Sequence, residues 1–212
     1  MIKEIPMIFN SAMVRAILSG QKTQTRRIAK PFPPAGQSTI DEGFKPTVFI
    51  NNACNKKWQW QKGAWFSGHI HNLPCQPGDR IYVREAWSNW YYDDAAKAQK
   101  YWYRADYADD HDPDGWDNSP STKDRWYPSI HMPKTAARIW LEVVSVSAQR
   151  IQEITPEDAW NEGFSCSCLH PIPQCAGNVS AFAATWENTY HNWLANPWVW
   201  RIEFKKFKLM ES

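Results

Sequence analysis

The sequence has no run of about 18 consecutive apolar residues, so no segment reads as a membrane span. Its opening residues, MIKEIPMIFN, also lack the long apolar stretch of a secretory signal, which points to a cytoplasmic protein. An excess of one charge is missing as well. The 24 Lys and Arg stand against 22 Asp and Glu, a net charge of +2. That balance excludes a generic cationic nucleic-acid coat, whose binding needs a clear surplus of basic groups, so any nucleic-acid contact must be local. Cysteine is scarce and odd in number. Cys54, Cys75, Cys166, Cys168 and Cys175 follow no framework spacing and suit a reducing compartment, so no structural disulfide is expected. Internal repeats and low-complexity segments are absent too.

What the chain does have is length and tryptophan. Its 212 residues can bury a substantial core, and the reading is one domain over 1–212 with insertions at about 31–76 and 106–124. There are 14 Trp, several in polar-aromatic runs such as Trp58-Gln59-Trp60, Trp87-Ser88-Asn89-Trp90 and Trp198-Val199-Trp200. Aromatic rings of this kind stack on bases, because every base has a π-face. They also supply large buried area to a modest core, and most of the Trp residues are expected to do that.

Asn10 or Ser11 can cap a first helix with Met13, Val14, Ile17 and Leu18 on one face, ending near Gly20. Lys22 to Ile28 reads as a loop entering a strand, and residues 31–76 as an irregular insertion with room for one hairpin. Pro77-Gly78-Asp79 is a turn before a strand over Arg80 to Trp87, with another at Tyr101 to Ala105. A longer strand is expected at Ala137 to Ser147, with both faces largely buried. Thr155-Pro156-Glu157-Asp158 starts a short helix that carries Glu162 in its last turn and stops at Gly163. Phe182, Trp186, Tyr190 and Trp193 mark a further amphipathic helix, and Trp198 to Phe207 alternates as a closing strand. Short strands outnumbering helices imply an α+β domain with a curved sheet or small barrel.

The segment Gly20-Gln21-Lys22-Thr23-Gln24-Thr25-Arg26-Arg27, the Pro77-Gly78-Asp79-Arg80 turn, the Thr155 to Gly163 helix and the Trp200-Arg201-Ile202-Glu203-Phe204 strand resemble an ASCH domain. Phe9 to Arg27, Arg84-Glu85-Ala86-Trp87, Pro128 to Pro133 and Asn196-Pro197-Trp198-Val199-Trp200 are similar, more narrowly, to the ASCH proteins encoded by bacteriophages and prophages. The resemblance spans nearly the whole chain. It implies a PUA-like β-barrel with short flanking helices and a role with RNA or a modified nucleoside. A sharper similarity, to the bacterial 4-acetylcytidine amidohydrolases, falls on Lys22, Thr25 and Glu162, and implies Lys22 as proton acceptor, Thr25 as nucleophile and Glu162 as proton donor, with no cofactor. The chemistry is coherent, because a Lys whose pKa is lowered by burial or by a neighbouring cation such as Arg26 or Arg27 can take a hydroxyl proton. If Lys22 to Arg27 were one regular strand, however, Lys22 and Thr25 would face opposite ways.

Three functions stay open at this point: an amidohydrolase of an acylated cytidine or related nucleoside, a non-catalytic RNA- or nucleoside-binding module, and a ribonuclease. Lys22, Arg26 and Arg27, with the aromatics, are the candidates to hold phosphate and base in the second. Lys22, His131 and Glu162 are candidate acid-base groups in the third. Glu85 and Trp87 can face a bound base, while Ser129 and His131, two apart, can line a pocket wall more readily than they can form a nucleophilic pair. Cys166, Cys168, His170 and Cys175 hold the ligand types of a zinc site without the usual Cys-x2-Cys spacing. Asp110 to Gly115 starts like a calcium loop, but Ser121 stands where the bidentate Glu belongs, so an acidic solvated loop is expected.

Overall fold

The structure is a computed structural model that describes residues 2–29, 45–49, 57–61, 70–93, 98–107 and 126–207, with side chains over 2–29, 73–88, 101–107 and 126–207. The chain runs β1 (Glu4–Ile8), α1 (Ser11–Leu18), β2 (Gln24–Ile28), β3 (Lys45–Phe49), β4 (Lys57–Gln61), β5 (Ile70–Asn72), β6 (Arg80–Arg84), β7 (Trp87–Asp93) and β8 (Ala98–Tyr103). It continues as β9 (Trp140–Arg150), α2 (Pro156–Asn161), α3 (Gly177–Tyr190) and β10 (Trp198–Phe207). The fold is α+β. Its main sheet has the order β1-β6-β9-β10-β2, and only β1 and β6 run parallel.

β10 decides which side chains meet. Trp198, Trp200, Ile202 and Phe204 enter a core with Val14 and Ile17 of α1, Phe9, Val83 and Leu141. Val199, on the opposite face, packs with Ala159 of α2 and with Phe182 and Trp186 of α3. Residues paired across a ladder share a face. The pairs Ile202↔Thr25 and Arg201↔Arg26 therefore put Thr25 on the α1 side of the sheet and Arg26 on the α2 and α3 side.

The barrel expected from the resemblance is not closed by these strands. β1 and β2 are the two edges of the sheet, and what spans them is a side chain: Arg27 Nη2 donates to the Ile8 carbonyl at 2.8 Å. The 31–76 insertion is more regular than its composition suggests, because β3, β4 and β5 form an antiparallel three-stranded sheet. The strand expected over Arg80 to Trp87 breaks at Glu85, where β1 also ends against Arg84. The second strand of that region is Ala98–Tyr103 and yields to a 3-10 turn at Arg104–Asp106. β9 begins at Trp140, three residues later than expected, and it runs on to Arg150 opposite Trp198. Its two faces are not both covered, since Val144 is 50% exposed. Most of the 106–124 insertion, including Asp110 to Gly115 and Ser121, lies outside the described residues, as do the side chains of Trp58, Trp60 and Trp90.

Among the described residues no helix is long and apolar enough to cross a membrane. Trp87, Trp140, Trp186, Trp198 and Trp200 are all buried, the role in the core expected for most of the Trp residues.

Candidate functional site

Helix α2 is short, and its ends are set by local chemistry. Thr155 Oγ1 accepts from the Asp158 amide, Asp158 answers to the Thr155 amide, and Pro156 occupies the first turn. Glu162 caps the C-terminal end, and Gly163 follows with φ +91°. A Cβ on Gly163 would lie 2.8 Å from the Ala16 Cβ, so glycine lets the end of α2 press against α1 and the loop that holds Lys22. The Lys22 amide donates to Ala16 O and the Thr23 amide to Asn161 O, both at 2.9 Å, which pins that loop between the two helices.

Lys22 and Glu162 meet as a direct result. Lys22 Nζ donates to Glu162 Oε2 and to the Glu162 carbonyl, each at 2.7 Å. Arg26 Nη1 reaches Glu162 Oε1 at 3.1 Å, while its Nη2 reaches Asp158 Oδ2 at 2.9 Å. With its amide oriented to accept, Gln149 takes two further bonds from Arg26. Gln24 Nε2 donates to Asp158 Oδ1 at 3.1 Å, and Gln24 Oε1 accepts from Arg201 Nε at 2.9 Å. Two buried cations thus face two carboxylates, an arrangement that avoids an uncompensated charge in a low-dielectric interior.

Burial pushes the Lys22 ammonium below the usual lysine range; the Glu162 carboxylate opposes this, and Arg27 and Arg26 add to it. Burial alone would raise Asp158, but the Gln24 hydrogen bond and the charges of Arg26 and Arg201 overcome it and hold the carboxyl below its usual value.

Beside this cluster lies an open cavity of about 560 Å³. Glu162, Arg26 and Arg27 are among the residues that line it, with the aromatic residues Phe164, Phe182, Trp186 and Tyr190. Lys22 is buried behind Glu162 and does not line it. Thr25 does not line it either. The Thr25 hydroxyl is buried and has no hydrogen-bond partner among the described residues, Lys22 included.

The remaining candidates lie outside this cavity. Glu85, 1% exposed, receives a two-pronged ion pair from Arg138 at 2.9 and 3.0 Å, and Arg138 also binds Asp106 at 2.6 Å. Burial raises the Glu85 carboxyl, with Arg138 pulling the other way. Trp87 packs with Met132 and Ala136 in a separate apolar cluster. Ser129 and His131 sit on a 3-10 turn, His131 exposed, and neither reaches the cavity.

Asp158, Gln24, Phe164 and Phe182 belong to the site but were not picked out as site residues from the sequence. A signal for the first two existed. Asp158 and Glu162 are four apart on one helix and share a face, and Gln24 and Arg26 are two apart on one strand.

In the loop after α2, Cys166 and Cys168 are joined by a disulfide, contrary to the expectation from count and spacing. Their Cα atoms are 5.3 Å apart, a separation that residues two apart in sequence reach with a bend of the chain and that falls within the range a disulfide spans. Cys175 joins them, whereas His170 lies outside the group.

No family model, curated protein or solved structure matches the chain.

Proposed function

We propose that the cavity lined by β1, β2, α3 and the residues just after α2 binds a modified nucleoside, on a domain of the ASCH, PUA-like kind. One observation carries the reading: Glu162, Arg26 and Arg27 line a cavity of about 560 Å³ whose lining also includes the aromatic residues Phe164, Phe182, Trp186 and Tyr190. The volume lies within the ordinary range for small-ligand sites, and few convergent polar groups against an apolar wall is how such sites fix orientation. The second lone pairs of the Glu162 carboxylate can accept from the exocyclic amine of a base, the Arg27 guanidinium can donate to carbonyl or phosphate oxygens, and aromatic faces stack, while Arg26, spent on Glu162 and Asp158, holds the carboxylate in place. Titration of the protein with 4-acetylcytidine, cytidine and a short unmodified RNA, followed by calorimetry, tests this. Saturable binding of a nucleoside that is lost in Arg27→Ala supports it; no heat with any of the three overturns it.

A second reading, hydrolysis of the acyl amide, rests on the buried Thr25 hydroxyl, which has no hydrogen-bond partner among the described residues, and on Lys22, whose proton is weakened by burial. It requires the acyl group to reach past the cavity lining, to which neither side chain belongs. Transfer of one proton across the 2.7 Å contact from Lys22 to Glu162 creates a neutral amine base and a protonated carboxyl acid together. Lys22 then takes the Thr25 proton as Oγ1 attacks the acyl carbon, and Glu162 protonates the departing exocyclic nitrogen. Water releases the acyl group from Thr25 as a carboxylic acid. Conversion of 4-acetylcytidine to cytidine and acetate, followed by chromatography, separates this reading from binding alone.

A further inference from the structure

Away from the cavity, the loop between α2 and α3 brings the sulfur atoms of Cys166, Cys168 and Cys175 within 4.8 Å of one another. The convergence is built by the surrounding chain. Asn178, fully buried, accepts from the Cys166 amide at 2.8 Å and donates to the carbonyls of Ile172 and Pro173 at 2.9 and 3.0 Å, clamping both arms of the loop. Gly177 opens α3 where a Cβ would stand 2.7 Å from the Cys166 Cβ and 3.6 Å from the Cys175 sulfur, so the helix start can touch both cysteines only as glycine.

Cross-linking does not account for this arrangement. The Cys166–Cys168 bond joins residues two apart, so it removes little freedom from the unfolded chain and contributes little stability. It also leaves the third sulfur without a purpose. Metal geometry gives it one: two thiolates bound at about 2.3 Å in a tetrahedron stand about 3.8 Å apart, and Cys168 and Cys175 are separated by 3.8 Å.

We propose that, once the Cys166–Cys168 bond is reduced, the three thiolates of Cys166, Cys168 and Cys175 bind one soft divalent cation of the zinc class. A dithiol reductant supplies the two electrons and two protons that open the bond, and each thiol releases its proton as it takes the ion. Cys168 is exposed, which leaves the fourth tetrahedral position to water or an external donor.

The test uses the full chain, reduced with a phosphine and titrated anaerobically with Co²⁺. A thiolate-to-cobalt charge-transfer band saturating at one equivalent, displaced by Zn²⁺, is the expected result. Cys168→Ser and Cys175→Ser each abolish the band while circular dichroism stays native, and Cys54→Ala and Cys75→Ala keep it. Gly177→Ala, which removes no ligand, weakens binding by about 10-fold through displacement of Cys166. Absence of the band in the reduced wild-type chain overturns the proposal, as does a band that survives both serine variants.

Discussion

The Lys22 ammonium holds Glu162 twice, through the carboxylate and through the backbone carbonyl, each at 2.7 Å. One cation therefore fixes both the charge and the terminal backbone of α2. Removing it leaves a buried carboxylate with one partner fewer, so Lys22→Met is expected to destabilise the fold by about 3–5 kcal/mol. Lys22→Met with Glu162→Gln should cost less than the two single changes summed, because the pair is coupled. Urea unfolding of the four proteins checks this, and simple additivity would show that the pair is not coupled.

Thr25→Val tests the nucleophile without the confounding loss of a hydrogen bond. The hydroxyl has no partner among the described residues, so its replacement by a methyl of similar volume removes a desolvation cost. The expected outcome is a melting temperature unchanged or raised by an amount worth about 1 kcal/mol. If the acyl amide is hydrolysed, turnover vanishes in the same variant while nucleoside binding stays. A variant that is stable and fully active would remove Thr25 from the chemistry.

The parts of the fold legible in the sequence are those written in short-range chemistry. Asn10 caps α1, with its side chain accepting from the Met13 amide at 2.8 Å; Thr155 and Pro156 start α2, and Gly20 and Gly163 take positive φ. The closing strand over Trp198 to Phe207 follows from its alternation, and Trp198, Trp200, Ile202 and Phe204 take the expected core face. β1 was not anticipated, since Glu4 to Ile8 with Pro6 in the middle has no alternation strong enough to declare a strand, and its place comes from pairing with β6 about 76 residues on. The approach of Lys22, Arg26 and Glu162 was anticipated only through a resemblance; their contacts depend on Gly163 packing against Ala16, a distance that no local pattern encodes. For Glu85 and Trp87, strand alternation suggested a shared site, but the strand ends at Arg84, and Arg138 claims Glu85.

Asp158 gives the acid side of the stability profile a recognisable part. Its folded pKa lies below the ordinary aspartate value of 3.8, held there by Gln24, Arg26 and Arg201 against the effect of burial. A depressed carboxyl stabilises the fold above the unfolded value, and that contribution is lost as pH falls through the folded value. Unfolding free energy should therefore drop below about pH 4, and Asp158→Asn should flatten that limb while lowering stability at neutral pH. An acid limb of the same slope in the variant would place the titration elsewhere.

Glu85 and Arg138 test whether the second buried ion pair is architectural. Both Glu85 oxygens are taken by one guanidinium, which also stacks 4.0 Å from the Tyr103 ring centroid. Lysine has neither the fork nor the plane, so Arg138→Lys is not a conservative exchange here. It should lower stability by about 1–3 kcal/mol. Nucleoside affinity in the cavity of Arg27 and Glu162 should stay unchanged, because Glu85 and Arg138 do not line it. Calorimetric binding beside thermal unfolding separates the two roles: loss of affinity at constant stability would show that Glu85 faces the ligand after all, whereas the reverse pattern fits a strut that turns the chain from β6 into β7.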